Sequence, residues 1–148
     1  MSDPRSERFL VTGALGCIGA WTVRQLVSEG AAVVTFDKGS DTRRLRLLMD
    51  AEDLGRVTML EGDIADLAAI ERVLDEHDIS NVIHLAALQV PFARADPPLG
   101  AIVNVVGTVN VFEAVKRQRA CGGGSGRLRR LHRHVRHDRR RPGRRKPP

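Results

Sequence analysis

Three glycines, Gly13, Gly16 and Gly19, stand three residues apart in Thr12-Gly-Ala-Leu-Gly-Cys-Ile-Gly19. Between a strand and a helix, such spacing has a chemical use, although it differs from the G-x-G-x-x-G pattern. Gly13 permits a tight turn, Gly16 lets main chain approach a pyrophosphate, and Gly19 lets the helix pack on the sheet without an intervening Cβ. The helix start then offers free N–H groups and a partial positive charge to phosphates. The same glycines would equally serve a plain turn with close packing. Asp37 lies 18 residues after Gly19. A carboxylate there can accept hydrogen bonds from a ribose diol and repels a 2′-phosphate, which favours NAD over NADP. Arg43 and Arg44 are near enough in sequence to leave NADP as the less favoured cofactor. A solvated turn residue is the plainer role for Asp37.

These residues need elements to hold them. Arg8–Thr12, Ala32–Phe36, Val57–Glu61 and Asn81–Leu85 are short apolar runs of strand character. Helical spacing is expected over Ile18–Glu29, with Ile18, Trp21, Thr22, Leu26 and Val27 on one stripe. A polar helix is expected over Asp41–Leu54, and another is opened by Asp66, carrying Leu67, Ile70, Val73 and Leu74. A loop with Pro91, Pro97 and Pro98 precedes a last helix over Leu99–Arg117. Val103, Val106, Val109, Val111, Phe112 and Val115 imply that its face is largely buried. Strands alternating with helices predict an α/β fold: a partial doubly wound, Rossmann-type parallel sheet of order 3-2-1-4. Glu61-Gly-Asp63-Ile64 and His84-Leu-Ala-Ala87 then fall at carboxyl ends of strands, where such sheets bind ligands. His84 reads as a packed strand-end residue, not a catalytic one.

The charge divides the chain in two. Residues 1–119 carry 13 basic and 17 acidic residues, whereas 120–148 carry eleven basic residues against Asp138 alone. The first segment is expected to form an incomplete dinucleotide-binding domain. The second is expected to be disordered, with only Leu128, Leu131 and Val135 as aliphatics beyond Gly122. No uninterrupted apolar run reaches the ~20 residues of a membrane span, and the first residues contain no apolar signal core. A cytoplasmic, membrane-free protein is the expectation. Cys17 and Cys121 are too few for a disulfide scaffold, and their spacing fits no zinc site. His132, His134 and His137 have no fold to position them around a metal.

Taken together, the T-G-x-x-G-x-x-G loop, Asp37, Gly62-Asp-Ile64, His84-Leu-Ala-Ala87 and Asn104-Val-Val-Gly-Thr108 resemble the extended short-chain dehydrogenase/reductase superfamily, specifically its NAD-dependent epimerase/dehydratase family. The likeness covers about Arg8 to Arg119. It implies that backbone at Gly13, Gly16, Cys17, Ile18 and Gly19 cradles the pyrophosphate and that Asp37 holds the adenosine ribose. Asp63 and Ile64 would flank the adenine, while Leu85, Ala86, Ala87 and Gln89 would line the approach to the nicotinamide half. Asn104 would be a structural or cofactor-side polar residue. The full-length parent would act on a nucleotide-sugar type of substrate by hydride transfer.

The resemblance stops before the chemistry. The family moves its proton with a Tyr whose pKa is lowered by a Lys four residues on, and this chain contains no Tyr. No catalytic residue is therefore assigned, and the chain is expected to be catalytically incomplete. The family's next strand should begin near residue 125, where Gly/Arg-rich sequence starts instead. A shifted reading frame accounts for the break: codon degeneracy permits Arg129–Arg136 to read Val-Ala-Ser-Ile-Gly-Thr-Tyr-Gly one base later. A competing reading makes 120–148 a nucleic-acid arm, its ten arginines binding phosphates without interleaved aromatics for stacking.

Overall fold

A computed structural model describes residues 7–121 and 131–133. Strand β1 (Arg8–Thr12) lies at the centre, parallel to β2 (Ala32–Asp37) on one side and β4 (Asn81–His84) on the other. Strand β3 (Val57–Glu61) pairs with the outer edge of β2, giving the expected order β3-β2-β1-β4. The registers Thr12↔Phe36, Thr12↔His84 and Asp37↔Glu61 bring the carboxyl ends of all four strands level. That alignment places the candidate residues along one rim.

Helices cover both faces. Helix α1 (Cys17–Ser28), α2 (Arg43–Leu48) and α3 (Ala51–Gly55) follow β1 and β2, and α4 (Leu67–Glu76) follows β3. After β4 come α5 (Val90–Ala95), α6 (Pro97–Ala101) and α7 (Gly107–Cys121), the last two joined by a π-helical turn at Ile102–Val106. Alternate strand residues feed opposite cores, as the two-residue period of a strand requires. Leu10, Val34, Phe36 and Val82 pack with Ile70 and Leu74 of α4 and Val111, Ala114 and Val115 of α7. Val11, Val33 and Val57 pack with Ala20, Val23 and Val27 of α1 and with Leu45 of α2. Among the described residues, no buried side-chain polar atom lacks a hydrogen-bond partner.

Several sequence expectations need correction. The 41–54 helix is two helices, broken at Met49–Asp50 because Asp50 caps α3 by accepting from Asp53 N–H. The proline segment is helical, with Pro91 near the start of α5 and Pro97–Pro98 opening α6, positions where a missing N–H costs nothing. On α1 the buried face is Gly19, Ala20, Val23 and Val27, whereas Ile18 and Trp21 are exposed, since small residues bring the helix closer to the sheet. Along the π-helical turn and α7 the buried residues among those described are Gly107, Thr108, Val111, Ala114 and Val115, while Val106, Val109 and Phe112 remain about half exposed. Pro97–Gln118 forms one helix of 22 residues, long and apolar enough by length and composition to cross a membrane. Asn104, Gly107, Thr108 and Asn110 interrupt its apolar sequence, which is why no single run stands out. A three-residue strand β5 (Leu131–Arg133) pairs parallel with β4, with Leu131 opposite Val82, although the composition of that segment signalled no strand. Main-chain hydrogen bonding at an open edge does not require apolar side chains. The rest of the 122–148 expectation lies outside the described residues.

Candidate functional site

The loop after β1 is shaped by close backbone contacts. Gly13 has φ +71°, the left-handed region, and a Cβ there would lie 2.5 Å from Ala86 N. A Cβ on Gly19 would lie 2.1 Å from Gly13 O, so the loop folds back on its own main chain. Gly19 thus packs against the turn, not against the sheet as its spacing suggested. Gly16, extended at the helix N-cap, contributes no side-chain cap, and α1 has no acidic residue in its first turn. Neither the cap nor the first turn of this twelve-residue helix supplies a side chain to offset its positive end.

The loop is braced from β2. Asp37 Oδ2 accepts from Leu15 N–H at 2.9 Å, and Oδ1 accepts from Lys38 N–H at 3.1 Å. Arg44 Nη1 donates to Leu15 O at 3.1 Å, so Leu15 is held at both its N–H and its carbonyl. Arg43 turns away and grips Asp41 through Nε and Nη2, which lowers the Asp41 carboxyl to about 2. Between β3 and α4, Asp63 Oδ1 accepts from Ala65 N–H at 2.9 Å. Its Oδ2 meets Lys38 Nζ at 2.7 Å. The Lys38 hydrogen bond, then the Ala65 amide, hold this carboxyl below its ordinary value. Asn110 Nδ2 donates to Ile64 O and Ala65 O at 3.0 and 2.8 Å, tying that loop to α7.

The third wall follows β4. His84 is buried, with Nδ1 2.6 Å from Thr12 Oγ1 and Nε2 3.2 Å from Thr108 Oγ1. Thr108 donates its hydroxyl to Asn104 O, and Thr12 Oγ1 accepts from Ala86 N–H. An imidazole protonated on Nε2 satisfies this chain of donors and acceptors. His84 therefore fastens the exit of β4 to β1 and to α7, the packing role its position suggested. Asn104 sits in the π-helical turn and exchanges two hydrogen bonds with Leu88, accepting from its N–H at 2.7 Å and donating to its C=O at 3.0 Å.

These walls enclose a cleft of about 620 Å³, within the range of small-molecule sites. Gly13, Gly16, Cys17, Ile18 and Gly19 form its floor, and Asp37, Asp63 and Ile64 stand on the β2–β3 side. Leu85, Ala86, Ala87 and Gln89 form the opposite side. Asn104 does not line it; its neighbour Val103 does, and Asn104 acts through Leu88. Phe36, Lys38, Gly62, Leu88 and Leu99 also line the cleft; Gly62 was read as part of the Gly62-Asp-Ile64 motif without a site role, and the other four were not singled out from sequence. Lys38 adjoins Asp37 and was legible as a neighbour; Leu88 and Leu99 carried no signal. Chemically, the arrangement offers amide donors to a phosphate, a carboxylate to a diol, and a flat apolar wall to a ring.

Residues 10–129 match the GDP-mannose 4,6 dehydratase family. The chain belongs to that family. Its kinship extends to the epimerases, as the NAD-dependent epimerase/dehydratase resemblance implied. It is 40% identical over 111 residues to a UDP-glucose 4-epimerase of Mycolicibacterium smegmatis, covering 74% of this chain and 34% of that protein. Identity with a UDP-glucose 4-epimerase of Klebsiella pneumoniae is 37% over 112 residues, covering 74% of this chain and 80% of that sequence. The crystal structure of the Brucella ovis UDP-glucose 4-epimerase in complex with NAD superposes with a TM-score of 0.64 at 29% identity, over 77% of this chain and 33% of that one. Against the M. smegmatis and B. ovis proteins, this family member spans about a third of the length.

Proposed function

We propose that this chain binds NAD in the cleft at the carboxyl ends of its strands, as the cofactor-binding part of a nucleotide-sugar epimerase or dehydratase. The observation that carries this reading is the uncapped start of α1 facing the same cleft as the Asp37 carboxylate. Bound NAD would supply hydride acceptance and return at its nicotinamide ring. The chain's own residues bind and orient. The amides of Cys17 and Ile18 hold the pyrophosphate, while Gly16 N–H braces the turn by donating to Gly13 O, and Gly13, Gly16 and Gly19 keep side chains out of its path. Asp37 accepts from the adenosine ribose while retaining Leu15 N–H. Asp63 and Ile64 flank the adenine. Leu85, Ala86, Ala87 and Gln89 border the nicotinamide half, and Asn104 keeps Leu88 in place behind them.

NAD is preferred to NADP on this reading because the cations near the ribose are committed. Lys38 is paired with Asp63, Arg43 with Asp41, and Arg44 with Leu15 O. A 2′-phosphate would meet Asp37 first. Without any Tyr, the chain has no phenol to exchange the substrate proton. Calorimetry with NAD and NADP, alongside a nucleotide-sugar turnover assay, tests the reading. NAD binding tighter than NADP, with no turnover, is the expected outcome. Equal failure of both dinucleotides to bind defeats it, and measurable turnover defeats the catalytic part. The excess positive charge of residues 120–148 supports a second, sequence-blind affinity for RNA, which a salt series on the full chain reads as a steep loss of binding.

A further inference from the structure

Lys38 and Asp63 come from different loops, the first after β2 and the second after β3, and they meet at 2.7 Å on the wall of the cleft. We propose that Lys38 is a positioning residue for base recognition: by holding Asp63 at the cleft wall, it makes that carboxylate a fixed acceptor for an exocyclic amine on the dinucleotide's base. The proposal rests on the dinucleotide reading above and adds a residue that neither the glycine loop nor Asp37 supplies.

The hydrogen bonds define what the carboxylate can do. One oxygen of Asp63 accepts from Ala65 N–H and the other from Lys38 Nζ. Each carboxylate oxygen has a second lone pair, so a base amine can still be accepted. The Ala65 bond alone leaves Oδ2 free to swing, since it engages one oxygen only. Adding Lys38 fixes the second oxygen and therefore the plane of the group. Asp63 is also kept ionised by these two donors, so it presents acceptors and no donor to the cleft. A purine with an amine at its six-position satisfies that acceptor; one with a carbonyl there opposes it. Lys38 is largely exposed and Asp63 only about one-third so, which suits an ammonium bridging from solvent onto a partly sheltered carboxylate. Exposure also means the pair contributes little to folding, so its removal should be read in binding and not in stability.

The test compares NAD with nicotinamide hypoxanthine dinucleotide, which carries a carbonyl in place of the adenine amine. Both are titrated by calorimetry into the full chain, Lys38→Met and Lys38→Arg, with thermal melts confirming that each variant folds. The wild-type chain should prefer NAD by about tenfold, the scale of one hydrogen bond to a charged acceptor. Lys38→Met should reduce that ratio to within about twofold, and Lys38→Arg should restore most of it. Raising the ionic strength should erode the ratio in the wild type and leave it unchanged in Lys38→Met. An unaltered ratio in Lys38→Met, or tighter NAD binding by that variant, overturns the positioning role while leaving the dinucleotide site standing. Absence of binding by either dinucleotide to the wild-type chain overturns both.

Discussion

At the scale of single residues, the cleft depends on side chains that are absent as much as on those present. Alanine at position 19 would gain about 1 kcal/mol of helix propensity over glycine. Its Cβ, however, would lie 2.1 Å from Gly13 O, a backbone atom that cannot swing aside. Overpacking of that kind costs about 1–3 kcal/mol and here exceeds the propensity gain. Gly19→Ala should therefore lower the urea midpoint with an unchanged slope, and should weaken NAD binding more than stability because the displaced atoms form the floor of the proposed dinucleotide cleft. Asp63 makes a prediction in pH. Its carboxyl is held below the ordinary value of 3.8 by Lys38 and Ala65 N–H. A depressed carboxylate contributes its full stabilisation above the unfolded value, about pH 4, and loses it as pH falls through the lower folded value. In a carboxyl-carbon NMR titration, the midpoint of Asp63 should lie below 3.8 in the wild type and move upward in Lys38→Met.

At the scale of elements, legibility followed how local the determinant was. The strand-ending Asp37 and the helix-opening Asp66 are readable because turn and capping chemistry acts over three or four residues. Asp66 accepts from Ala69 N–H at 3.1 Å, as a residue opening a helix should. Replacing it with alanine should cost about 1 kcal/mol, measured by chemical denaturation. The change should be read globally, since α4 carries Ile70 and Leu74 into the core. By contrast, the break between α2 and α3 was hidden because Asp50 satisfies a polar helix pattern and a cap equally well. The exposed side of α7 was hidden for a different reason. Val106, Val109 and Phe112 carry a core-like pattern, yet which residues are covered depends on the helix's rotation against α4 and the sheet. The π-helical turn at Ile102–Val106 shifts that rotation, and just beyond it Thr108 Oγ1 donates to Asn104 O. No periodicity count detects an inserted residue of this type. Most of the cleft floor was legible from the glycine spacing, whereas Leu88, Leu99 and the Lys38–Asp63 pair arise from loops meeting across the rim.

At the scale of the whole molecule, one helix carries two faces with opposite fates. Val111, Ala114 and Val115 are sealed in the core, while Ile102, Val105, Val109 and Phe112 stay open along the same helix. A contiguous apolar surface of this kind promotes association in water. Because the open and sealed residues alternate with helical period, charge can be introduced on one face without touching the other. The double variant Val109→Lys and Phe112→Glu replaces side chains that are 52% and 51% exposed. It also substitutes better helix formers than valine and phenylalanine. It should lower light scattering at high protein concentration, keep the melting temperature within a few degrees, and leave NAD affinity unchanged. Val111→Lys, at a position with no exposure, is the control and should unfold the chain, since an unpaired buried ammonium costs several kcal/mol. If the double variant scatters as strongly as the wild type, the association runs through a sheet edge. The outer edge of β3, where Thr58 and Met59 are exposed, is then the next place to introduce charge.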